Sequence, residues 1–225
     1  MVELGWLGHA AWRIKFSKAT VFVDPYLSQN PSASMKVSEI KDADYVIVTH
    51  NHFDHIGGNG NNLPDAFAIA KRTKAKVVGI FEMSVAAQKA GLKDAIGMNI
   101  GSIADLGPIK VGLTPAIHSG DEAGVIIKAD NVTIYHAGDT ALFSDMKLIK
   151  EQHKPDIALL PIGGFFTMGP EEAAKAADMV GAKVTIPMHY NTFPPIKQDA
   201  KKFARLVKKS NVKILSPGEV FKFTK

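Results

Sequence analysis

The sequence predicts an α/β protein in which two sheets pack against each other and helices cover the outside. In each half of the chain, short apolar runs of strand length precede segments with helical periodicity. When strands followed by helices occur in both halves of a chain, a layered fold is expected. A chain of 225 residues can form one such unit, so we expect a single domain over residues 1–225.

The first half is predicted to begin with short strands and to alternate strands with helices later. β-Branched apolar runs indicate the strands, and Pro64 with Asp65 suits the first turn of a helix. Pro31 and its polar neighbours indicate a loop with at most a short helix. The predicted elements are strands at 2–7, 11–16, 20–24, 43–49 and 76–81, a loop at 28–42, and helices at 64–73 and 84–90.

The second half repeats the pattern. Pro170 near the start, acidic residues in the first turn and Gly181 past the end together predict a helix over residues 169–180. The remaining predicted elements are strands at 109–117, 132–135, 156–162, 183–188 and 212–223, and helices at 144–152 and within 197–213.

Composition narrows the function. No cysteine is present, so disulfides and thiolate ligands are excluded and any metal is held by nitrogen and oxygen. The start of the chain has no basic segment followed by an apolar one, and no run approaches the length of a membrane span. We therefore expect a cytoplasmic protein with no membrane partner.

The net charge of +5 permits an anionic substrate. Much of the basic excess lies within residues 197–213, where Ala200, Phe203 and Val207 form an apolar helical stripe and the lysines fall on the other face. A solvated helix face explains this arrangement better than a nucleic-acid surface. We expect a small-molecule substrate, anionic in character, and no nucleic-acid partner.

The densest functional signal is HNHFDHIGG at residues 50–58, directly after a predicted buried strand. In an extended segment alternate side chains point the same way, so His50, His52 and Asp54 are predicted to share one side. His55 needs a turn to join them, and the following glycines permit one. Imidazole nitrogens and carboxylate oxygens are ligands of zinc-like dications, and an open coordination position is typical of a catalytic site.

HNHFDHIGG resembles the H-x-H-x-D-H motif of the metallo-β-lactamase superfamily and differs from H-E-x-x-H, which places its ligands on a helix. WLGHAAW near the start, GGFFTMGPEEA at 163–173 and PMHYNTFPPI at 187–196 are similar to a group of small metal-dependent hydrolases related to ascorbate-6-phosphate lactonase. The resemblance spans nearly the whole chain. It implies a four-layer αββα sandwich with a metal site at one edge of the two sheets.

The resemblance also implies a set of site residues. The ligands of the first metal would be His50, His52 and His118, those of the second metal Asp54, His55 and His189, with Asp139 bridging the two. Asp24 would orient a ligand loop from behind. His9, Asn191 and Thr192 would line the substrate site, although a turn role for His9 and loop-capping roles for the other two remain open.

Two dications about 3.5–4 Å apart hold a hydroxide between them, because coordination lowers the pKa of water to about 7. Asp54 is then both a ligand and the candidate to orient the attacking water or to move a proton. Zinc is the expected metal, and the second ligand set, richer in carboxylate, also tolerates manganese or iron. The second histidine of the motif argues against the di-iron branch of the superfamily, which has glutamate there.

We expect an enzyme that hydrolyses a small carbonyl ester, a lactone or phosphorylated lactone, with this hydroxide. The alternative is a phosphodiesterase or nuclease, although no insertion is long enough for the arm with which the nuclease branch clamps RNA. A further alternative is a non-catalytic metal-binding or sensor protein, against which the complete ligand set argues. The sequence leaves open whether the protein forms a homo-oligomer.

Overall fold

The computed structural model describes residues 1–58 and 62–225. Its strands are β1 (Val2–Gly8), β2 (Ala11–Lys15), β3 (Thr20–Val23), β4 (Tyr45–Val48), β5 (Lys76–Ile80), β6 (Ile96–Met98), β7 (Ile103–Asp105), β8 (Lys110–Thr114), β9 (Gly124–Ala129), β10 (Val132–His136), β11 (Ile157–Pro161), β12 (Val184–Met188), β13 (Asn211–Val212) and β14 (Val220–Phe223). Its α-helices are α1 (Phe53–Ile56), α2 (Asp65–Thr73), α3 (Phe81–Lys89), α4 (Met146–His153), α5 (Pro170–Val180) and α6 (Ala200–Leu206).

The strands form two seven-stranded mixed sheets. The first has the order β14-β1-β2-β3-β4-β5-β6, antiparallel as far as β3 and parallel from β3 to β6. The second has the order β13-β12-β11-β10-β9-β8-β7, parallel as far as β10 and antiparallel beyond it. In each sheet, the loops that follow the parallel strands therefore emerge at one edge.

The main core lies between the sheets. Trp12 of β2 is fully buried and donates its indole N–H to the sulfur of Met188 in β12, 3.3 Å away, so the two sheets meet at this point. Helices α2 and α3 cover the outer face of the first sheet, where Phe67 packs in one cluster with Val46 and Val77. Helices α4, α5 and α6 lie on the second sheet. The result is the layered arrangement of sheets and helices that the sequence predicts.

Two predicted strands differ from the structure. The strand expected at 109–117 ends at Thr114, because Pro115 has no N–H to continue the ladder and starts the loop that carries His118. The strand expected at 212–223 is two strands in different sheets, β13 and β14, separated by a turn at Pro217-Gly218 in which Gly218 has φ +91°. The short edge strands β6 and β7 and the central strand β9 were not predicted.

Candidate metal centre

The motif at residues 50–58 leaves β4 and enters the short helix α1. His50 and His52 lie on one side of the extended segment, with His50 Nε2 2.9 Å from His52 Nδ1. His52 is the residue before α1, so Asp54 and His55 lie on a helical turn. The alternation predicted for three side chains therefore holds for two histidines only, and the turn brings Asp54 and His55 to the site.

His50, His52 and His118 form the first group of side chains, with one ring nitrogen from each within 4.8 Å of the others. His118 reaches the group from the loop after β8, and its Nε2 is 3.3 Å from His52 Nδ1. These are the three residues predicted to bind the first metal, and their spacing suits one ion.

Asp54, His55 and His189 lie together in a second group, which also contains His9. His189 Nε2 is 3.7 Å from Asp54 Oδ2, and His9 Nε2 is 3.2 Å from the same oxygen. The structure therefore adds His9, from the turn between β1 and β2, to the three residues predicted for the second metal.

Asp139 follows β10 and lies between the two groups. Its Oδ1 is 3.3 Å from His55 Nε2, and its Oδ2 is 3.0 Å from His189 Nε2 and 3.7 Å from His118 Nε2. The carboxylate is buried. This position between two histidine groups is the one that a bridging ligand requires.

Several of these atoms are near each other but are not oriented to hydrogen-bond. Within residues 1–58 and 62–225, His55 Nε2, His189 Nε2 and Asp139 Oδ1 are buried and have no hydrogen-bond partner. An unsatisfied buried polar group costs about 1–3 kcal/mol, and divalent cations between the side chains would satisfy all three atoms. The nitrogen and oxygen donors suit zinc, manganese or iron. The residues present thus fit a metal centre.

The electrostatics of the site favour ionised carboxylates. Burial alone would raise the pKa of Asp139, but His189 and His55 outweigh it and hold the pKa well below its usual range. Burial alone would also raise the pKa of Asp54, but the adjacent rings of His189 and His9 outweigh it and lower the pKa. Burial opposes the protonation of His189, but Asp139 raises its pKa to about 9. A metal that binds at neutral pH would therefore displace protons from the site.

Asp24, predicted to orient a ligand loop, lies directly behind His55. Its fully buried carboxylate is 2.8 Å from His55 Nδ1 and accepts hydrogen bonds from the backbone N–H and the hydroxyl of Thr49. A carboxylate behind a ligating histidine fixes the ring and its tautomer. The contacts of Asp24 are those that the predicted orienting role requires.

His9 is held by three further contacts. Its Nδ1 is 2.8 Å from the hydroxyl of Thr192, and its carbonyl accepts hydrogen bonds from the N–H of His189 and the indole of Trp6. His9 and His189 both adopt positive φ angles, +56° and +57°, which are uncommon outside glycine and concentrate at functional sites. His9 is therefore fixed against Asp54 and His189.

Asn191 and Thr192, both predicted as substrate contacts or loop-capping residues, differ in their exposure. Asn191 is exposed, and its side-chain oxygen accepts a hydrogen bond from the N–H of Gln198. Thr192 is buried and its hydroxyl faces His9. These contacts support the loop-capping alternative for Asn191 and a role for Thr192 behind His9.

Glu122 is the site residue that sequence reasoning missed. Its side chain is 2% exposed, and Oε2 lies 2.7 Å from His50 Nδ1, at ion-pair distance although not in hydrogen-bond orientation. Burial raises the pKa of Glu122 to about 10. Gly138 allows this packing, since a Cβ there would lie 2.5 Å from Glu122 Oε1. Glu122 precedes β9 in a polar loop, so no local pattern connects it with His50.

A cavity of about 480 Å³ opens over the two groups. Its lining residues are His52, Phe53, Asp54, His118, Ser119, Asp139, Phe166, Phe193 and Pro195. A small molecule can reach Asp54 and Asp139 from this cavity.

Comparison with known proteins identifies the family. A family profile described as the beta-lactamase superfamily domain matches residues 3–189. The chain belongs to the metallo-β-lactamase superfamily. Within this superfamily it is 48% identical to the UPF0173 metal-dependent hydrolase TK0141 of Thermococcus kodakarensis, over 97% of this chain and 98% of the relative. It is 46% identical to a UPF0173 metal-dependent hydrolase of Caldivirga maquilingensis, over 98% of this chain and 97% of that protein.

Solved structures agree with the metallo-β-lactamase fold. Igni18, described as a novel metallo hydrolase from the hyperthermophilic archaeon Ignicoccus hospitalis, matches with a TM-score of 0.89 and 38% identity over 99% of both chains. An isothiocyanate hydrolase from Delia radicum gut bacteria matches with a TM-score of 0.77 at 16% identity over 99% of both chains, which shows the shared fold alone. The predicted superfamily and αββα sandwich are confirmed. Among the helices that the structure describes, none has the length and apolar character to cross a membrane.

Proposed function

We propose that this superfamily member is a metal-dependent hydrolase whose centre holds two divalent metals and cleaves a small carbonyl ester, with a lactone as the first candidate. The observation that carries the proposal is the position of Asp139, whose two oxygens face His55 on one side and His189 and His118 on the other. The names of the relatives, metal-dependent hydrolases, support the reaction class.

The proposed ligands are those given by the sequence. His50, His52 and His118 would hold one metal, Asp54, His55 and His189 the other, and Asp139 both. We assign zinc first, with manganese or iron as alternatives at the second position. When bound, such metals supply an activated water and polarise the carbonyl oxygen under attack.

Asp54 is the proposed catalytic residue. Its side chain lines the cavity and is 15% exposed, and its lowered pKa keeps it ionised at neutral pH. A carboxylate in this position can orient the attacking water and accept its proton. An ester oxygen that leaves as an alkoxide must gain a proton, and Asp54 can return the one it accepted.

His9 is the proposed positioning residue for Asp54. Burial, with help from His189, lowers the pKa of His9 to about 4, so the ring is neutral at pH 7. The neutral ring can donate Nε2–H to Asp54 Oδ2 only if Nδ1 accepts the hydroxyl hydrogen of Thr192. Thr192 thereby stabilises the tautomer that holds Asp54 in place.

The first test is elemental analysis of protein purified without chelator, followed by assays on lactones and on bis(p-nitrophenyl) phosphate with the same metal restored. We expect two metal equivalents per chain and lactone turnover. Turnover of the phosphodiester alone would replace the ester reaction with phosphodiester cleavage, and metal without turnover on either class would overturn the enzyme proposal. One equivalent or less would overturn the two-metal centre.

Variants test the ligand assignment. Asp54→Ala and His189→Ala should abolish activity, because each removes a proposed ligand. The matched control is Asp94→Ala, which removes an exposed carboxylate away from the cluster and should keep full activity. If His189→Ala retained full activity and two metals per chain, the assignment of the second metal would be wrong.

A further inference from the structure

The cavity over the metal-binding cluster has a polar floor and an aromatic wall. Asp54, His118 and Asp139 belong to the floor, where the proposed chemistry takes place. Phe53, Phe166, Phe193 and Pro195 supply the apolar lining. Ligand cavities of this kind use the polar groups for orientation and the apolar surface for affinity.

Two rings of this wall are exposed at the cavity. Phe53 is 58% exposed and Phe166 is 51% exposed, both at the cavity. Phe193 continues the surface inward, with its ring centroid 6.2 Å from that of Phe53 and 5.5 Å from that of His9. A contiguous apolar surface that runs from solvent to the reacting groups is a typical ligand-binding feature.

The loop that carries Phe166 is fixed to the metal-binding cluster. Met168 donates its N–H to the carbonyl of Thr140, which follows Asp139, and its carbonyl accepts the N–H of Gly164. Phe165, next to Phe166, adopts a positive φ of +58°, which is unusual for an aromatic residue. The backbone is thus held in a conformation that places Phe166 at the cavity.

The described residues that line this cavity include no lysine or arginine. At the N-terminus of α5, near the Phe166 loop in sequence, Glu172 accepts the N–H of Gly169 and places a carboxylate there. The basic excess lies elsewhere, and four lysines line a separate surface groove: Lys147, Lys150, Lys175 and Lys209. A phosphate or carboxylate remote from the reacting carbonyl would therefore have no cationic partner in the cavity.

We propose that the cavity selects an uncharged lactone or ester bearing an apolar alkyl or aryl group, which packs on Phe53, Phe166 and Phe193 while the carbonyl faces Asp54 and Asp139. This inference rests on the proposed ester hydrolysis. The proposed substrate is uncharged, unlike the anionic substrate expected from the net charge of the sequence, because the basic side chains lie away from the cavity.

The test compares γ-lactones that differ only in the substituent on the ring carbon next to the ring oxygen: hydrogen, pentyl or phosphomethyl. Each methylene that becomes buried is worth about a factor of four in transition-state binding. Because part of the pentyl chain would pack on the aromatic wall, kcat/KM for the pentyl lactone should exceed that for the unsubstituted lactone by about tenfold or more. The phosphomethyl lactone should be the poorer substrate of the two substituted ones.

Variants of Phe166 test whether the aromatic wall causes the preference for the pentyl lactone. Phe166→Ala should reduce the ratio of pentyl to unsubstituted kcat/KM by about five- to tenfold, and Phe166→Leu should keep most of it. Phe81→Ala is the matched control, because Phe81 is 59% exposed on α3 and lines a different groove. It should leave the ratio unchanged.

These experiments distinguish failure of the apolar preference from failure of ester hydrolysis. If the pentyl lactone is no better than the unsubstituted one, or the phosphomethyl lactone is better than the pentyl one, the apolar preference is overturned while ester hydrolysis stands. If no lactone is turned over, ester hydrolysis fails. Calorimetry with the corresponding γ-lactams then tests whether the aromatic wall binds an apolar group. Tighter binding of the pentyl lactam with a negative heat-capacity change supports the apolar site, and equal affinities overturn it.

Discussion

Replacing Glu122 with glutamine should weaken metal binding by about tenfold. Glu122 Oε2 is 2.7 Å from His50 Nδ1, on the side of the ring away from the other histidines of its group. Bound metals would add positive charge to the cluster and favour the ionised carboxylate, despite the burial that raises the pKa of Glu122. An ionised carboxylate beside the ring stabilises the metal-bound state by about 1–1.5 kcal/mol more than a neutral amide oxygen, which corresponds to about tenfold in affinity.

The loss of metal affinity in Glu122→Gln is limited because His50 keeps another partner. The hydroxyl of Thr49 is 2.9 Å from the same ring nitrogen and remains in the variant. Glu122→Ala removes the carboxylate altogether and leaves space behind the His50 ring, so the loss of metal affinity should approach about a hundredfold.

Zinc affinity is measured by competition with a chromophoric chelator, alongside thermal unfolding of the metal-free protein. Glutamine has nearly the shape of the protonated glutamic acid that the raised pKa implies, so metal-free Glu122→Gln should unfold near the wild-type temperature. Glu151→Gln, an exposed change of the same charge on α4, is the control. Wild-type zinc affinity in both Glu122 variants would refute the reasoning, and a loss of metal-free stability alone would assign Glu122 a purely structural role.

Further predictions concern metal removal, His9 and the fold. Dialysis against a chelator should abolish hydrolysis and lower the unfolding temperature, and added zinc or manganese should restore both; full activity after verified metal removal would contradict the proposed chemistry. Thr192→Val removes the hydroxyl that pairs with His9 Nδ1, and should lower kcat about tenfold with little change in KM; Thr192→Ser should rescue it, and an unchanged kcat in Thr192→Val would count against the positioning role. Asp156→Asn should cost about 1–2 kcal/mol in the free energy of unfolding at pH 7, because buried Asp156 accepts hydrogen bonds from Thr133 N–H and the ammonium of Lys225. Despite burial these donors lower the pKa of Asp156 in the fold, so the difference from wild type in guanidinium unfolding should be present above about pH 4 and shrink as the pH falls below it; a difference that grew at low pH would contradict this assignment.

Much of the fold follows from local sequence patterns. Helix α2 spans Asp65–Thr73, matching the prediction made from Pro64, Asp65 and the apolar periodicity. The C-terminal segment was predicted less well, because periodicity indicates a strand but not the sheet it joins. Hydrogen-bond partners over this distance are set by packing, so β13 and β14 could be separated only in three dimensions.

The metal-binding site was likewise predicted only in part from the sequence. His50 was predicted from the motif after a predicted strand, and Asp139 and His189 were implied by the resemblance to the superfamily. Each of the three follows a strand with a parallel neighbour, and the ends of parallel strands meet at one edge of a sheet. Glu122 was not found, because its partner His50 is more than seventy residues away and neither residue carries a local signal of the other.

The family and the layered fold were predicted from the sequence, because motifs, residue type and periodicity along the chain indicate them. The resemblance to that family then supplied the proposed metal ligands. How the two sheets bring their loops together is visible only in three dimensions. His9 from the first sheet contacts Thr192 from the second, and three phenylalanines surround one cavity whose described lining has no lysine or arginine. Such contacts join residues far apart in sequence, and they arise from packing of the sheets, which no local pattern records.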